Sequence, residues 1–184
     1  MARNIEIKAR IASVEALLPR ALALADGEPE EIFQDDTFFA CPRGRLKLRD
    51  FGDGRGQLIF YQRPDVDGPK ESRYHIHGTA DPAGLRDMLA QGLGVVGRVV
   101  KRRLLLLRGQ TRLHLDRVQG LGDFLELEVV LDADQTAAAG TAIAEDIFAR
   151  LGLDAADRIA GAYRDLLAAA ASEASPGRDA PRAP

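Results

Sequence analysis

Apolar and charged residues alternate without a break across residues 4–11: Ile5, Ile7, Ala9 and Ile11 share one parity, Asn4, Glu6, Lys8 and Arg10 the other. Successive strand side chains point to opposite faces, so the segment predicts a β-strand with one apolar and one charged side. After Ser13 the period lengthens. Val14, Leu17, Leu18, Ala21, Leu22 and Ala25 recur at helical spacing behind a serine cap, and Pro19 predicts a kink or a split. Residues 27–31 read as a loop. Strands are then expected over 33–40, 45–51, 57–63 and 71–78, with Gly52-Asp53-Gly54 closing a hairpin between the middle pair. Asp81-Pro82 opens a helix running to about residue 93. Three further strands are expected over 95–107, 110–118 and 124–131. Two closing helices follow, over 136–151 and, behind Asp154 as cap, over 155–170. Residues 171–184 are small, polar and proline-containing, and are expected to be a disordered tail on a single domain spanning 1–170.

Eight strands joined mostly by connections too short for parallel crossovers give an α+β fold with an antiparallel sheet. The parity of the charges then becomes informative. Glu6, Lys8 and Arg10 share a face, as do Arg45, Lys47 and Arg49, Lys101 and Arg103, Arg112, His114 and Asp116, and Glu126 and Glu128. A single strand of this kind reads as a half-buried sheet with its polar side in water. Five strands whose second face is almost wholly Arg, Lys, Glu, Asp and His suggest instead a sheet curled around a polyvalent ligand. Arginine forks and lysine point charges suit phosphoryl oxygens. The carboxylates of Glu6, Asp116, Glu126 and Glu128 offer hard oxygen ligands for Mg2+ or Mn2+. Together they suggest metal-assisted phosphoryl or nucleotidyl transfer.

Composition narrows the alternatives. The 25 Lys and Arg against 28 Asp and Glu, a net charge of −3, disfavour a general nucleic-acid binder. No apolar run approaches the roughly 20 residues of a membrane span. Charges from Arg3 onward leave no room for a signal-peptide hydrophobic region, and the lone Cys41 fits a reducing compartment, so a cytoplasmic protein is expected. His75 and His77 read as surface or ligand-facing, Cys41 as structural, Arg158 and Arg164 as surface charges, and Tyr163 and Leu166 as core contacts.

Four elements together resemble the CYTH superfamily, the triphosphate tunnel metalloenzymes that include class IV adenylyl cyclases and thiamine triphosphatases. They are Asn4-Ile5-Glu6-Ile7-Lys8, near an E-x-E-x-K motif; Lys101-Arg102-Arg103; Arg112-Leu113-His114-Leu115-Asp116; and the run from Gly120 through Glu126 to Glu128. The resemblance covers residues 5–167. It implies an eight-stranded antiparallel barrel or tunnel with a charged interior, helices outside, and a bound triphosphate with one or two divalent ions. By carry-over Glu6, Glu126 and Glu128 are metal ligands, and Asp116 is a ligand or an orienting group. Lys8, Arg45, Lys47, Arg49, Arg73, Lys101, Arg103 and Arg112 are phosphate contacts, with Lys8, Lys101 and Arg103 nearest the chemistry. A homodimer would follow from the cyclase likeness. The expected activity is cyclisation of ATP to cyclic AMP and pyrophosphate. The alternatives are hydrolysis of tripolyphosphate, thiamine triphosphate or a nucleoside triphosphate, and polyphosphate or nucleotide binding without turnover. Asn4 stands where the motif has its first Glu, which weakens a two-metal site.

Overall fold

Alternation becomes strand, as expected, in a computed structural model that describes residues 2–64 and 68–173. The strands are β1 (Ala2–Arg10), β2 (Glu30–Phe39), β3 (Arg45–Asp50), β4 (Gly56–Gln62), β5 (Lys70–Thr79), β6 (Val95–Arg108), β7 (Thr111–Val118) and β8 (Gly122–Val130). The α-helices are α1 (Val14–Leu24), α2 (Pro82–Leu93), α3 (Ala137–Arg150) and α4 (Tyr163–Glu173). Every ladder is antiparallel, and the order β1-β5-β4-β3-β2-β6-β7-β8 returns to β1, so the sheet closes into a ring. The N-terminal strand closes it, lying against β8 with Glu6 opposite Glu128 and Lys8 opposite Glu126.

The larger of two hydrophobic clusters lies outside the ring. Ile5, Ile7 and Ala9 of β1, Leu113 and Leu115 of β7, and Leu125, Leu127 and Val129 of β8 are buried together. Over them pack Val14, Leu17 and Ala21 of α1 and Ala144, Ile147 and Phe148 of α3. Helix α3 comes close because Gly140 faces β1 and the end of β8; a Cβ there would stand 2.5 Å from Leu131 Cδ2. The alternate parity is thereby forced inward, and it is the charged one.

Two expectations need correction. Helix α1 is not split: it runs through Pro19, which sits on the exposed side, where the carbonyl deprived of its partner faces water. The helix expected over 155–170 is broken. Asp154 and Asp157 close a capping box around a single 3-10 turn, Ala155–Asp157, and Gly161 adopts a left-handed φ of 79°. Between them the chain runs extended, and Ile159 N–H donates to the Lys8 carbonyl at 3.0 Å. Only at Tyr163 does α4 begin, and it continues to Glu173, into the segment expected to be a tail. The rest of that expectation, residues 174–184, lies outside the described residues. Among the described residues no helix is long and apolar enough to cross a membrane.

Candidate functional site

Even positions of β1, β2, β5, β7 and β8 and odd positions of β3, β4 and β6 line a lumen of about 370 Å3. Among the described residues, seven cations and four carboxylates line it: Lys8, Lys47, Arg49, Arg63, Lys101, Arg103 and Arg112 against Glu6, Asp36, Glu126 and Glu128. The two ends differ. Antiparallel pairing gathers the starts of β1, β2, β4 and β7 with the ends of β3, β5, β6 and β8 at one mouth. There Ile32, Phe51, Ile76 and Leu105 stand with Gln57, Tyr74 and Arg112. The opposite end is stopped by α4, whose Tyr163 packs with Phe38, Val99, Val118 and Phe124, with Leu166 and Leu167 against the same cluster.

Buried carboxylates organise the cations. Asp116, fully buried, accepts from Lys101 Nζ at 2.8 Å, from Arg103 Nε and Nη2 at 2.6 and 2.7 Å, and from the Tyr163 hydroxyl at 3.0 Å. Burial alone would raise its pKa, but the two cations outweigh it and hold the carboxyl below its usual range. Asp36 plays the same part on β2, accepting from Lys47 Nζ at 2.6 Å and from Arg49 Nε and Nη2 at 2.8 and 2.9 Å. Along β8, Glu126 meets Arg103 Nη2 at 3.1 Å and Lys8 Nζ at 3.9 Å, and Glu128 meets Arg112 Nη1 at 3.3 Å. Glu6 is paired with Arg63.

Crowding of like charge in a dry place has a visible cost. Lys101 is pushed down to about 7, first by burial and then by the Arg103 guanidinium, although Asp116 pulls the other way. Lys47 is lowered for the same reasons, burial first and Arg49 second. His114, 3 % exposed, falls to about 3, again by burial and then by Arg103. Its unfolded counterpart titrates near 6.5, so between those values the unfolded chain holds a proton that the folded one refuses, and stability falls as pH falls. A urea titration in chelator is expected to lose about 2 kcal/mol between pH 6.5 and 5, a window below the unfolded pKa of His and above those of the carboxylates. His114→Gln should flatten that slope.

The expected site residues divide clearly. Lys8, Lys47, Arg49, Lys101, Arg103, Arg112, Glu6, Glu126 and Glu128 face the lumen together. Asp116 shares their inward parity but is covered, its oxygens taken up by Lys101, Arg103 and Tyr163, an arrangement that suits an orienting group. Arg45 is drawn to the stopped end, where it pairs with Asp165 of α4 at 3.0 Å. Arg73 is misplaced by the sequence reading. It has the outward parity of β5, is 58 % exposed and pairs with Glu71 beside it, while Lys70 and Ser72 carry the inward parity. Arg73→Ala is therefore expected to leave kcat/KM for a triphosphate within about twofold and stability within ~0.5 kcal/mol. Arg63→Ala, which frees a buried Glu6, should cost several times more in both assays. Asp36, Arg63, Gln34, Tyr61 and Tyr163 are lumen residues the sequence reading did not assign. Parity does not single out Asp36 or Gln34, because both faces of β2 mix polar and apolar residues, and nothing local marked Tyr163.

Glu6, Glu126 and Glu128 supply the hard oxygens that Mg2+ or Mn2+ prefers. Nearby, the buried Asn4 Oδ1 has no hydrogen-bond partner. The donor chemistry fits a divalent ion, although among the described residues no three acidic or histidine side chains form a ready-made cage.

The chain is similar to known proteins along most of its length. It is 28% identical over 174 residues to the adenylate cyclase CyaB of Aeromonas hydrophila, covering 89% of this chain and 87% of that one. The PH1012 protein of Pyrococcus horikoshii OT3 superposes with a TM-score of 0.78 at 26% identity, over 89% of this chain and 99% of that one. A putative adenylyl cyclase of Hippeastrum, described as having a dominant triphosphatase activity, shares the fold with a TM-score of 0.64 at 15% identity, over 90% and 95% of the two chains. The CYTH domain model matches residues 2–163, and the chain belongs to that family.

Proposed function

We propose that the protein is a metal-dependent enzyme that holds a triphosphate in the lumen and cyclises ATP to cyclic AMP and pyrophosphate. The observation that carries this reading is the charge excess of the closed lumen: among the described residues, seven cations to four carboxylates. Adding the buried Lys70 and Asp116 leaves the difference unchanged. A polyanion is the ligand that relieves it, and the depressed Lys101 and Lys47 are the groups that gain most from one.

The apolar mouth argues for an organic group on the triphosphate. Inorganic tripolyphosphate would leave Ile32, Phe51, Ile76 and Leu105 facing water, whereas a nucleoside covers them. With the phosphates inward and the nucleoside toward the mouth, Lys8, Lys47, Arg49, Lys101 and Arg103 clamp phosphoryl oxygens. Their placement on rigid strands means little reorganisation as charge builds on the departing pyrophosphate. The 3′ hydroxyl oxygen bonds to the α-phosphorus and gives up its proton to solvent water as the bond from that phosphorus to the bridging oxygen breaks, and the pyrophosphate carries away the electron pair. Glu6, Glu126 and Glu128 would hold Mg2+ or Mn2+, which supplies charge neutralisation on the phosphoryl oxygens and the attacking hydroxyl.

Incubation of the purified protein with Mg2+ or Mn2+ and, separately, ATP, thiamine triphosphate and tripolyphosphate tests this. Cyclic AMP and pyrophosphate from ATP are expected. Orthophosphate as the main product would replace the reading with hydrolysis, the activity described for the Hippeastrum neighbour. Tight binding of ATP without any product would replace it with a sensor.

A further inference from the structure

Tyr163 is the first residue of α4, yet its side chain reaches through the stopped end into the charged wall. Its hydroxyl donates to Asp116 Oδ2 at 3.0 Å, the same oxygen that receives Lys101 Nζ and Arg103 Nη2. Its ring lies under the Lys8 ammonium at 4.0 Å from the centroid and under that of Lys101 at 4.9 Å. One side chain thus touches the cations of two strands, β1 and β6, that are not neighbours in the ring. The helix that carries it is fastened by Asp165, bonded to Arg45 of β3, and approaches β6 closely at Gly97, where a Cβ would lie 2.6 Å from Arg164 Cγ.

On the reading of the lumen as a triphosphate site, we infer that Tyr163 is a positioning residue for substrate phosphates. Its ring gives two desolvated ammonium groups a polarisable floor that a buried water could not supply. Without it Lys8 has Glu126, at 3.9 Å, as its attractive partner, and folds toward that carboxylate and away from the phosphate path. The hydroxyl acts separately from the ring. It is the third donor to Asp116 Oδ2, beside Lys101 and Arg103, and helps hold the carboxylate that aims both cations. The ring therefore governs how well phosphate is gripped, and the hydroxyl how firmly the wall is held.

Tyr163→Phe and Tyr163→Leu separate these two effects. KM for ATP, kcat and thermal midpoint are measured for both against the wild type, with Kd for ATP from calorimetry where turnover is low. Tyr163→Phe is expected to keep KM within about twofold, because the ring stays, while its midpoint falls. Tyr163→Leu is expected to raise KM about tenfold with kcat reduced less than about threefold, the pattern of lost uniform binding. A merely structural side chain would lower the active fraction, and with it apparent kcat, at unchanged KM. Wild-type KM in Tyr163→Leu, or equal KM increases in the two variants, overturns the inference and leaves the triphosphate reading standing. Wild-type protein that binds neither ATP nor tripolyphosphate overturns both.

Discussion

Asp116→Ala is expected to lose about 3–5 kcal/mol of folding stability and essentially all triphosphate turnover. The size of the loss comes from what would be left behind. Lys101 and Arg103 are each 5 % exposed, and the carboxylate between them is the one group that both contact directly within 3 Å. Removing it strands an ammonium and a guanidinium side by side in a place that already penalises charge. Breaking a buried pair by deleting one partner is costly because the survivor has no water to turn to. Arg103 retains Glu126 at 3.1 Å, so it would swing toward β8 and carry away a carboxylate offered to the metal. Urea unfolding with and without ATP measures the loss, and Asp116→Asn is the sharper control. The amide keeps one acceptor but turns an N–H2 group against the guanidinium, and is expected to recover less than half the stability. If Asp116→Ala costs below about 1 kcal/mol, the wall is not organised around this residue.

What the sequence made legible was parity. Period-two alternation in β1, β3, β6, β7 and β8 assigns an apolar and a charged face to each strand, and closing the ring sends every charged face to one lumen. The faces sort because α1 and α3 cover β1, β7 and β8 from outside, so the apolar parity has somewhere to go. Strand β5 breaks the logic for a physical reason. Neither β4 nor β5 packs extensively against a helix, so the outer parity of β5, Arg73, His75 and His77, is itself polar and meets water. Charge there marks the outside, and the family resemblance that made Arg73 a phosphate contact carried no information about which face of β5 it occupies. Asp36 was hidden differently. It stands between Asp35 and Thr37 in an aromatic-rich strand, and only the register with Arg49 reveals that it binds the cations of β3. Tyr163 was illegible because its role is wholly tertiary. A tyrosine at the start of a helix looks like a core contact until Gly161 breaks the preceding segment and α4 is laid across the end of the ring.

Lys101→Met should lower activity without lowering stability. The ammonium of Lys101 is buried with Arg103 beside it and Arg49 within reach of its field, and these outweigh the attraction of Asp116 and Glu126 enough to bring it down to about 7. In the unfolded chain the same group titrates near 10.4. Between those values the unfolded state keeps a proton that the folded state has given up, so wild-type stability rises with pH across this window. At neutral pH the charge is a load on the unliganded fold. A methionine of similar length removes the load and still fills the wall, while Asp116 retains Arg103 and Tyr163 as donors. Because Asp116 keeps those donors, no unpaired carboxylate is left behind, and the variant is expected to be at least as stable as the wild type at neutral pH without substrate. The rise in stability between about pH 7 and 10 should shrink in the variant. Turnover does not follow, because a triphosphate is what makes the ammonium favourable: kcat/KM is expected to fall about 100-fold or more. Calorimetry of ATP binding at about pH 8, in buffers of different ionisation enthalpy, measures the proton directly. The wild type should take up a fraction of a proton as the phosphate restores charge to Lys101, and the methionine variant should take up less. A variant that is both less stable and equally active would mean that Lys101 serves the fold through Asp116 and does not meet the phosphates.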